Sequence, residues 1–481
     1  MKVCNNEILN KIENYIEEHK DEILSDLLDI VRIPSVRSEA KEGMPFGEDC
    51  HKMLLATKAL FEKNGFESKM GKGNEYEISY YGNKNAKEIG IFSHTDVVPV
   101  VASEWIICPP FEPVIKDGYI VGRGCNDDKS GVIEALYIAK IIRDLGLPLK
   151  NRLVMVNGGA EETGMEDMEA FSANEKMPDA SLVPDAEFPC YTGEKSMLQF
   201  ELVSKKRLEQ IQEFKGGLAF NVILEKVNVK IEYSDSLYNE IVEKCENNDR
   251  FTITKEDGFI CITAKGITRH GAYPDGSMNA AWIIAEILKD RENLCENDRK
   301  IMSDVYKYLT RYYGEGFGIE YEDEYFGKLT SSNGIVRITD DGTLGVMFDV
   351  RAGVGCDMYS VIDKVKSTVS DMWNVEKVNI SVGYNIADDN PAKLAVEDVY
   401  GELTGQPGIK GKKCSGGTYS RNLKNAISLG SVEYRDVKPF SVSLPEGHGS
   451  VHQPDETLPI DGFLKALKIL TCMVLEIDAV L

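Results

Sequence analysis

The sequence is poor in positive charge, lacks paired cysteine motifs and contains no long apolar run. Lysine and arginine together number 55 against 79 aspartates and glutamates, so the net charge over 481 residues is -24. Because such a charge repels phosphate backbones and anionic lipids, we expect no nucleic acid and no membrane among its partners. The opening residues MKVCNNEILNKIENYIEEHK lack the basic, apolar and small-residue regions of a secretory signal, and no apolar run reaches the length of a bilayer span. We therefore expect a cytoplasmic protein.

Cysteine and histidine are distributed very differently. The eleven cysteines are scattered from Cys4 to Cys472 without a CxxC pair. This pattern argues against disulfides and cysteine-bound zinc and is typical of small buried residues in a reducing compartment. Histidine occurs six times. Four histidines stand in glycine-rich or turn-rich segments with polar neighbours, where core packing does not account for them: His94, His270, His448 and His452.

The order of apolar patterns predicts an α/β protein. Apolar residues at helical spacing predict a helix or helix pair over residues 7–31 and a last amphipathic helix over residues 459–481. Between them, an apolar strand at 89–92 and a long helix at 131–145 begin an alternation of strands and helices. Such an alternation is typical of a mostly parallel sheet flanked by helices.

The pattern changes between about residues 193 and 385. Alternating segments such as LQFELV and VNVKIEY, with amphipathic helices between them, predict a separate α+β insertion. The chain is also longer than one hydrophobic core usually serves. We therefore predict a first domain built from residues 1–192 and 386–481, with an inserted domain at 193–385.

Acidic and histidine residues cluster where the predicted strands end. His94 and Asp96 follow the first of these strands, and the pair Glu161 and Glu162 in GGAEETG follows an apolar run at 153–156. Acidic pairs are common on solvated faces. Ligands of open α/β sheets, however, gather outside the carboxyl ends of the strands, which favours a site. Asp127 and Asp128 stand at a turn before the long helix, and Asp185 follows another strand-like segment.

Carboxylate and imidazole groups without cysteine suit a divalent ion such as zinc, manganese or cobalt. More such groups are available than the four that one tetrahedral ion accepts, and two ions sharing one carboxylate would use them. A two-metal site activates water and stabilises charge on a substrate oxygen. One glutamate of the GGAEETG pair can then bind a metal while its neighbour takes a proton from that water.

The motifs HTD, GRGCNDDKSG, GGAEETG, PDAEFP, RHGAYPDGSMNA and HQPDE stand in the order found in the M20 metallopeptidase family. The chain resembles that family over nearly its whole length, and within it the PepV-like and carnosinase-type dipeptidases. The resemblance implies a catalytic α/β domain of the di-zinc exopeptidase type and an inserted α+β lid domain. It also implies a substrate, a small unblocked dipeptide whose peptide bond is hydrolysed.

The resemblance assigns metal ligands by position. His94 and Asp185 would bind the first ion, Glu162 and His452 the second, and Asp127 would bridge the two. The implied cofactors are two divalent metal ions, zinc in the first place, with manganese or cobalt as alternatives.

His448 and His452 also have the i, i+4 spacing of a helical zinc pair. Glycines at 447 and 449 and a proline at 454 disfavour a helix there. We therefore interpret His448 as a turn residue or a support for other groups.

Three further residues would take part in the reaction. Glu161 would take the proton from the attacking water and return it to the leaving amine. Asp96 would support the imidazole of His94 and fix its tautomer. His270, in the lid, would donate a hydrogen bond to the developing oxyanion.

Residues of the lid and of one late loop would bind the substrate. Arg351 matches the family arginine that grips the substrate carboxylate, for which a guanidinium fork is well suited. Asn221 aligns with a lid asparagine that contacts substrate. Gly416, Gly417 and Thr418 resemble a loop that binds substrate largely through its backbone.

The long insertion predicts a monomer. Family members with a short lid dimerise and take the lid histidine from the partner, whereas an enlarged lid supplies it from the same chain. A dipeptidase is our first hypothesis, supported by the long lid and Arg351. The alternatives are an N-acyl amino acid deacylase of the acetylornithine or succinyl-diaminopimelate type, and a metal- or peptide-binding homologue that has lost catalysis. The presence of Glu161 together with the ligand set argues against the last.

Overall fold

The computed structural model describes residues 1–217, 219–246 and 248–481. Their contacts divide the chain into two compact units. The first unit comprises Met1–Gly193, Asn385–Lys412 and Gly417–Leu481, and the second comprises Glu194–Tyr384 and Lys413–Gly416. The domain boundaries at 192 and 385, and the roles of catalytic domain and lid, stay predictions.

The helices of the described residues follow the predicted apolar patterns closely. The predicted N-terminal helix or helix pair is a pair, interrupted at His19, and the last helix covers almost the whole predicted range. The α-helices are α1 (Asn6–Glu18), α2 (Lys20–Val31), α3 (Glu48–Lys63), α4 (Lys129–Asp144), α5 (Glu166–Asn174), α6 (Asp235–Cys245), α7 (Ala280–Leu288), α8 (Glu296–Tyr308), α9 (Met358–Thr368), α10 (Pro391–Leu403) and α11 (Ile460–Val480).

The strands of the same residues are β1 (Glu67–Met70), β2 (Tyr76–Tyr81), β3 (Glu88–His94), β4 (Val114–Lys116), β5 (Tyr119–Val121), β6 (Arg152–Gly158), β7 (Ala180–Ala186), β8 (Tyr191–Glu194), β9 (Ser196–Arg207), β10 (Ile211–Lys215), β11 (Lys226–Glu232), β12 (Phe251–Glu256), β13 (Phe259–Lys265), β14 (Glu322–Asp323), β15 (Gly327–Lys328), β16 (Thr330–Ile338), β17 (Thr343–Ala352), β18 (Trp373–Ser381), β19 (Tyr384–Asn385), β20 (Lys412–Cys414), β21 (Ala426–Gly430) and β22 (Thr457–Pro459).

The first unit is organised around a mixed, mainly parallel sheet. Six of its strands lie in the order β1-β2-β6-β3-β7-β21, and β6, β3, β7 and β21 run parallel. Strands β1 and β2 continue the sheet in antiparallel pairing. Every residue of β3 is buried, as expected for a parallel strand covered on both faces. The predicted α/β class with a mostly parallel sheet flanked by helices is confirmed.

Helices cover this sheet and supply its core. Helix α4 packs against β3, and α3 packs against β1 and β2. Phe171 of α5 packs with Phe92 and Val156 in one buried cluster. The rings of Phe92 and Phe171 meet edge to face with centroids 5.2 Å apart, a favoured aromatic geometry. A small separate sheet, β22-β5-β4, joins the last helix to the loop before α4.

The second unit consists of antiparallel sheets with helices against them. One sheet has the order β16-β17-β9-β18 and another the order β10-β11-β13-β12. Helices α7 and α8 pack together, α7 also packs on β11 and β13, and α9 packs on β9 and β18. Their apolar faces form one buried cluster that includes Phe200, Phe317 and Phe348. These sheets are consistent with the predicted α+β insertion.

No helix in the parts of the chain that the structure describes combines the length and the apolar content needed to cross a bilayer.

Candidate metal centre

The parallel strands bring the strand-end motifs to one edge of the first unit's sheet. Strand β3 ends at His94, whose register partner on β6 is Gly158. Glu161 begins a short 3-10 turn just beyond β6, and Asp185 is the penultimate residue of β7. Because β3, β6 and β7 run parallel, their carboxyl ends lie side by side.

The turn after β6 requires a glycine where the strand ends. A Cβ on Gly158 would overlap the hydroxyl of Tyr419 and the carboxylate of Asp167, which are hydrogen bonded to each other. Asp167 also accepts the backbone N–H of Ala160 at 2.8 Å. This close packing fixes the path of the backbone into the paired glutamates.

His94 is buried, and contacts at both nitrogens fix its ring. Its Nδ1 lies 3.0 Å from the backbone carbonyl oxygen of Asp96 and 3.6 Å from Oδ1 of the same residue, so the ring donates to the carbonyl. Its Nε2 lies 2.9 Å from Oδ1 of Asp127 and 3.9 Å from Oδ1 of Asp185. With Nδ1 as donor, Nε2 is the nitrogen available to a metal.

His452 faces the other oxygen of Asp127. Its Nε2 lies 2.9 Å from Asp127 Oδ2 and 3.0 Å from Glu162 Oε1. The two carboxylate oxygens of Asp127 thus face different histidines, as a bridging carboxylate would. The structure brings the predicted ligands of the first unit together, and their binding of metal stays a prediction.

Asp128 is a possible metal ligand to which the sequence analysis gave no role. It is fully buried, its Oδ2 accepts the backbone N–H of His94 at 3.2 Å, and its Oδ1 has no hydrogen-bond partner in the described residues. Atoms of His94, Asp128 and Asp185 lie within 4.8 Å of one another, as do atoms of His94, Asp127 and Glu162. The position of Asp128 next to Asp127 was the one feature of the sequence that pointed to it.

The acidic groups of the cluster repel one another. Burial and then the charge of Asp185 raise the pKa of Glu161 well above its usual value. Burial and then Asp127 likewise raise the pKa of Asp185. Hydrogen bonds to Asp127 and Glu162 raise the pKa of His452 to about 11. The cluster therefore favours the binding of positive charge.

These observations fit divalent cations. Carboxylates outnumber imidazoles in the cluster, sulfur is absent from its donors, and one oxygen of Asp128 lacks a partner among the described residues. Buried carboxylates in mutual contact are costly unless positive charge compensates them. Oxygen and imidazole donors suit zinc, manganese or cobalt.

Asp96 positions the two adjacent glutamates. Its buried carboxylate accepts the backbone N–H of Glu161 at 3.0 Å and that of Glu162 at 3.2 Å. Burial raises the pKa of Asp96 to about 7. The support that we predicted for the ring of His94 comes from the main-chain carbonyl of Asp96, because its carboxylate is engaged by these two N–H groups.

Glu456, in the HQPDE motif, holds the loop that carries Asp127. Its fully buried carboxylate accepts the backbone N–H of Asn126 at 2.9 Å and that of Asp127 at 3.1 Å. The other oxygen accepts from the guanidinium of Arg123 at 2.8 Å and from the N–H of Gly124 at 3.0 Å. The sequence analysis gave Glu456 no role, because its partners are remote in the sequence.

His448 is a supporting residue. Its Nδ1 lies 2.7 Å from Oδ2 of Asp455, and no helix joins it to His452. Asp455 also accepts the backbone N–H of Ile107 at 2.8 Å. These contacts agree with the interpretation of His448 as a turn or support residue, which stays a prediction.

His270 and Asn221 are neighbours within the second unit. The backbone N–H of Gly271 donates to the carbonyl oxygen of Asn221 at 2.7 Å. Nδ1 of His270 accepts the backbone N–H of Ala272 at 3.2 Å, so the neutral ring carries its proton on Nε2. Partial burial and then the charge of Arg351 lower the pKa of His270. The ring is therefore neutral at pH 7 with Nε2–H as a donor.

Arg351 is a buried residue of β17 in the second unit. Its Nε donates to Oδ2 of Asp349 at 2.7 Å, and its Nη1 donates to the carbonyl oxygen of Ser415 at 2.5 Å. These two contacts orient the guanidinium plane. Its binding of a substrate carboxylate stays a prediction.

The three predicted loop residues divide between the units. Gly416 belongs to the second unit and donates its N–H to Sγ of Cys414 at 3.1 Å. Gly417 and Thr418 belong to the first unit, where the hydroxyl of Thr418 lies 2.8 Å from that of Ser428. Their contact with substrate stays a prediction.

The sequence matches the family model described as Peptidase family M20/M25/M40 over residues 90–476. This span includes most of the chain and all the predicted site residues, from His94 to His452. The chain belongs to this family. Its membership confirms the resemblance drawn from the motifs and makes the protein a peptidase of the M20 type.

A relative in this family covers nearly the same length. A protein of Bacillus subtilis (strain 168) named "Putative dipeptidase YtjP" is 29% identical over 477 residues, which cover 95% of this chain and 97% of the relative. The full-length match includes both units of the M20 chain.

Solved structures show the same fold. The dipeptidase Dug1p of Saccharomyces cerevisiae has a TM-score of 0.58 at 14% identity and covers 98% of each chain. Human carnosine dipeptidase 1 has a TM-score of 0.57 at 13% identity, covering 98% of this chain and 99% of that one. At this identity the likeness concerns the fold of the M20 chain alone.

Proposed function

We propose that this M20 peptidase is a dipeptidase that hydrolyses the peptide bond of unblocked dipeptides with the help of two divalent ions. The observation that carries the proposal is the pair Glu161 and Glu162, held by Asp96 beside His94 and Asp127. The names of the Bacillus relative and of the two solved structures support the choice of dipeptides.

The residues that would hold the ions are His94 and Asp185 for one, Glu162 and His452 for the other, and Asp127 for both. Asp128 adds a buried oxygen near the first group. Ions bound there would supply an acidified water and positive charge opposite the scissile carbonyl oxygen. We expect zinc, with manganese or cobalt as working substitutes.

Glu161 is the proposed base and acid. Its backbone is fixed by Asp96 while its side chain is not one of the proposed ligands, so the carboxylate can accept a proton from the attacking water. The same group then delivers that proton to the leaving amine. Burial and then the charge of Asp185 raise the pKa of Glu161 above its usual value, which favours its protonation between the two transfers.

The second unit would supply the groups that bind the substrate. His270, neutral and with Nε2–H as a donor, would stabilise the oxyanion. Arg351 would bind the free carboxylate, and Asn221, Gly416, Gly417 and Thr418 would contact the peptide. We further propose that the protein is a monomer in which His270 acts within its own chain.

A panel of substrates tests the proposal. Purified protein reconstituted with zinc or manganese is offered Ala-Ala, Leu-Leu and β-Ala-His beside N-acetyl and N-succinyl amino acids, with Glu161→Ala as control. Cleavage confined to free dipeptides, and lost in the variant, is the expected result. Cleavage of acylated amino acids alone would identify a deacylase instead. A metal-loaded protein inert on the whole panel would identify a binding homologue without catalysis.

A further inference from the structure

The second unit contains a cavity of about 600 Å³ whose charge is opposite to that of the chain as a whole. Acidic residues outnumber basic ones in the sequence, 79 to 55. Around the cavity, by contrast, basic residues outnumber acidic ones. Its acidic lining residues in the described part of the chain are Asp275 and Glu322. The basic lining residues are Lys195, Arg269, Lys328 and Lys413.

Aromatic rings hold two of these cations in place. The ammonium of Lys328 lies 4.9 Å from the ring centroid of Tyr313, and that of Lys413 lies 5.7 Å from the ring of Tyr325. The hydroxyl of Tyr313 also donates to Asp275, so one of the two acidic groups is already engaged. The cavity thus combines positive charge with apolar ring faces.

Polar groups deeper in the cavity can complete the recognition of an anion. Lys195 is buried, and its ammonium donates to the carbonyl oxygen of Lys328 at 2.7 Å. Thr330 is 3% exposed, and its hydroxyl has no hydrogen-bond partner among the residues with described structure. A buried hydroxyl without a partner is costly unless a ligand or water satisfies it.

The cavity adjoins two of the residues of the second unit that we propose to contact the substrate, Arg351 and His270. Ser415, which lines the cavity, accepts the hydrogen bond from Arg351. Ala272, which also lines it, donates its N–H to His270. A peptide whose carboxylate lies on Arg351 would therefore have the side chain of the same residue next to this cavity.

We propose that the cavity is the subsite for the side chain of the carboxyl-terminal residue and that it selects dipeptides ending in aspartate or glutamate. The inference rests on the proposed dipeptidase function. The side-chain carboxylate lies among the ammonium groups, with the hydroxyl of Thr330 as a further donor. The methylene groups lie against the rings of Tyr313 and Tyr325. The volume is within the range of small-ligand sites and exceeds what a single inorganic anion needs.

The test compares substrates that differ only in this charge. We would measure kcat/KM of the metal-loaded full-length enzyme for Ala-Glu against Ala-Gln, and for Glu-Ala against Gln-Ala. We expect a preference of about tenfold for Ala-Glu over Ala-Gln, none for the second pair, and a smaller preference at high salt.

Two variants assign the preference to the cavity. Lys328→Gln removes a cation but keeps the carbonyl oxygen that Lys195 uses, and we expect it to lower the Ala-Glu to Ala-Gln ratio about three- to fivefold. Lys255→Gln is the matched control, since Lys255 is an exposed lysine of the second unit over the ring of Tyr233 and does not line the cavity. It should leave the ratio unchanged.

The outcomes separate the inference from the function on which it rests. Efficient cleavage of Ala-Gln and Ala-Glu at equal rates would overturn the subsite while leaving a dipeptidase. A ratio that is unaffected by Lys328→Gln, or affected equally by Lys255→Gln, would also overturn it. Failure to cleave any dipeptide would reject the proposed function, and the subsite with it.

Discussion

The carboxylate of Glu456 accepts the backbone N–H of Asp127 at 3.1 Å. The same side chain also accepts from Arg123, so the segment before Asp127, the proposed bridging ligand, is tied to the segment that carries His452. Residues that orient metal ligands in this way tune the affinity of a site without touching the ion. Glu456 is therefore expected to control metal binding although it is not itself a proposed ligand.

Replacement of Glu456 by glutamine should weaken metal binding. The glutamine amide keeps one acceptor oxygen, but its NH2 group faces N–H groups that the second carboxylate oxygen accepted in the wild type. Because these N–H groups lose their acceptor, the loop of Asp127 should shift. We expect a 10- to 100-fold loss of zinc affinity, measured by competition with a chromogenic chelator. Glu13→Gln is the control, because Glu13 forms an exposed ion pair with Lys468.

Breaking the buried pair of Glu456 and Arg123 should also lower stability. A buried charge left without its partner costs about 3–5 kcal/mol. Thermal unfolding of the metal-free protein measures this part of the effect by itself. If zinc affinity were unchanged in folded Glu456→Gln protein, the proposed link between Glu456 and the metal loop would be wrong.

Replacement of Glu161 by glutamine should separate chemistry from metal binding. Glu161 is proposed to move the proton and Glu162 to bind an ion, so Glu161→Gln should lower kcat by about 10²–10⁴ with little change in metal content. Glu162→Gln should lower metal content as well. Activity and metal content of both variants are measured on the same preparations. Loss of metal in the first variant would assign Glu161 to the ligands instead.

Sequence patterns located the strand-end residues because the information is local. His94 and the paired glutamates directly follow apolar runs, and parallel strands necessarily bring such ends together. Glu456 lies some 330 residues from the N–H groups that it accepts, so no local pattern could reveal its partners. The pattern also could not show whether His94 would donate to the side chain or to the carbonyl of Asp96, since both belong to the same residue.

The second unit illustrates the same limit. The alternating pattern was enough to predict an α+β insertion. The positive charge of the cavity, however, comes partly from Lys195, Lys328 and Lys413, which lie on separate segments of the chain. Charges so far apart in the sequence resemble ordinary surface lysines until the fold brings them together.

Glu77 should make the stability of the first unit depend on pH. Its buried carboxylate accepts from the hydroxyl of Ser68 at 2.5 Å and from the amide of Asn157 at 2.6 Å. Burial nevertheless raises the pKa of Glu77 from 4.5 to about 7, against the lowering effect of these hydrogen bonds and of Lys58. Between these pH values the folded protein keeps a proton that the unfolded chain releases.

The free energy of unfolding should therefore fall as pH rises from about 4.5 to 7. The contribution of Glu77 amounts to about 3 kcal/mol, the free energy that corresponds to a shift of this size. Glu77→Gln should be tolerated, because Oδ1 of Asn157 has no partner among the described residues and a turned amide can accept from the new NH2 group. In denaturant unfolding of the metal-free proteins, the variant should gain stability relative to the wild type across this window. A constant difference between the two proteins would contradict the pKa shift.

Mixing two inactive variants tests whether His270 acts within its own chain. His270→Ala should lower kcat by about 10²-fold, because it removes a donor to the oxyanion, and should leave metal content unchanged. Glu161→Ala should be inactive for a different reason. If the protein is a monomer, each variant lacks an essential group that no other chain can supply, so a refolded mixture should show only the sum of the two residual activities. In a dimer that exchanged this histidine, mixed dimers would contain one intact site with Glu161 and His270 from different chains, and activity would return toward one quarter of the wild-type value. Sedimentation of the wild-type protein under assay conditions provides the independent check, with the mass of a single chain expected.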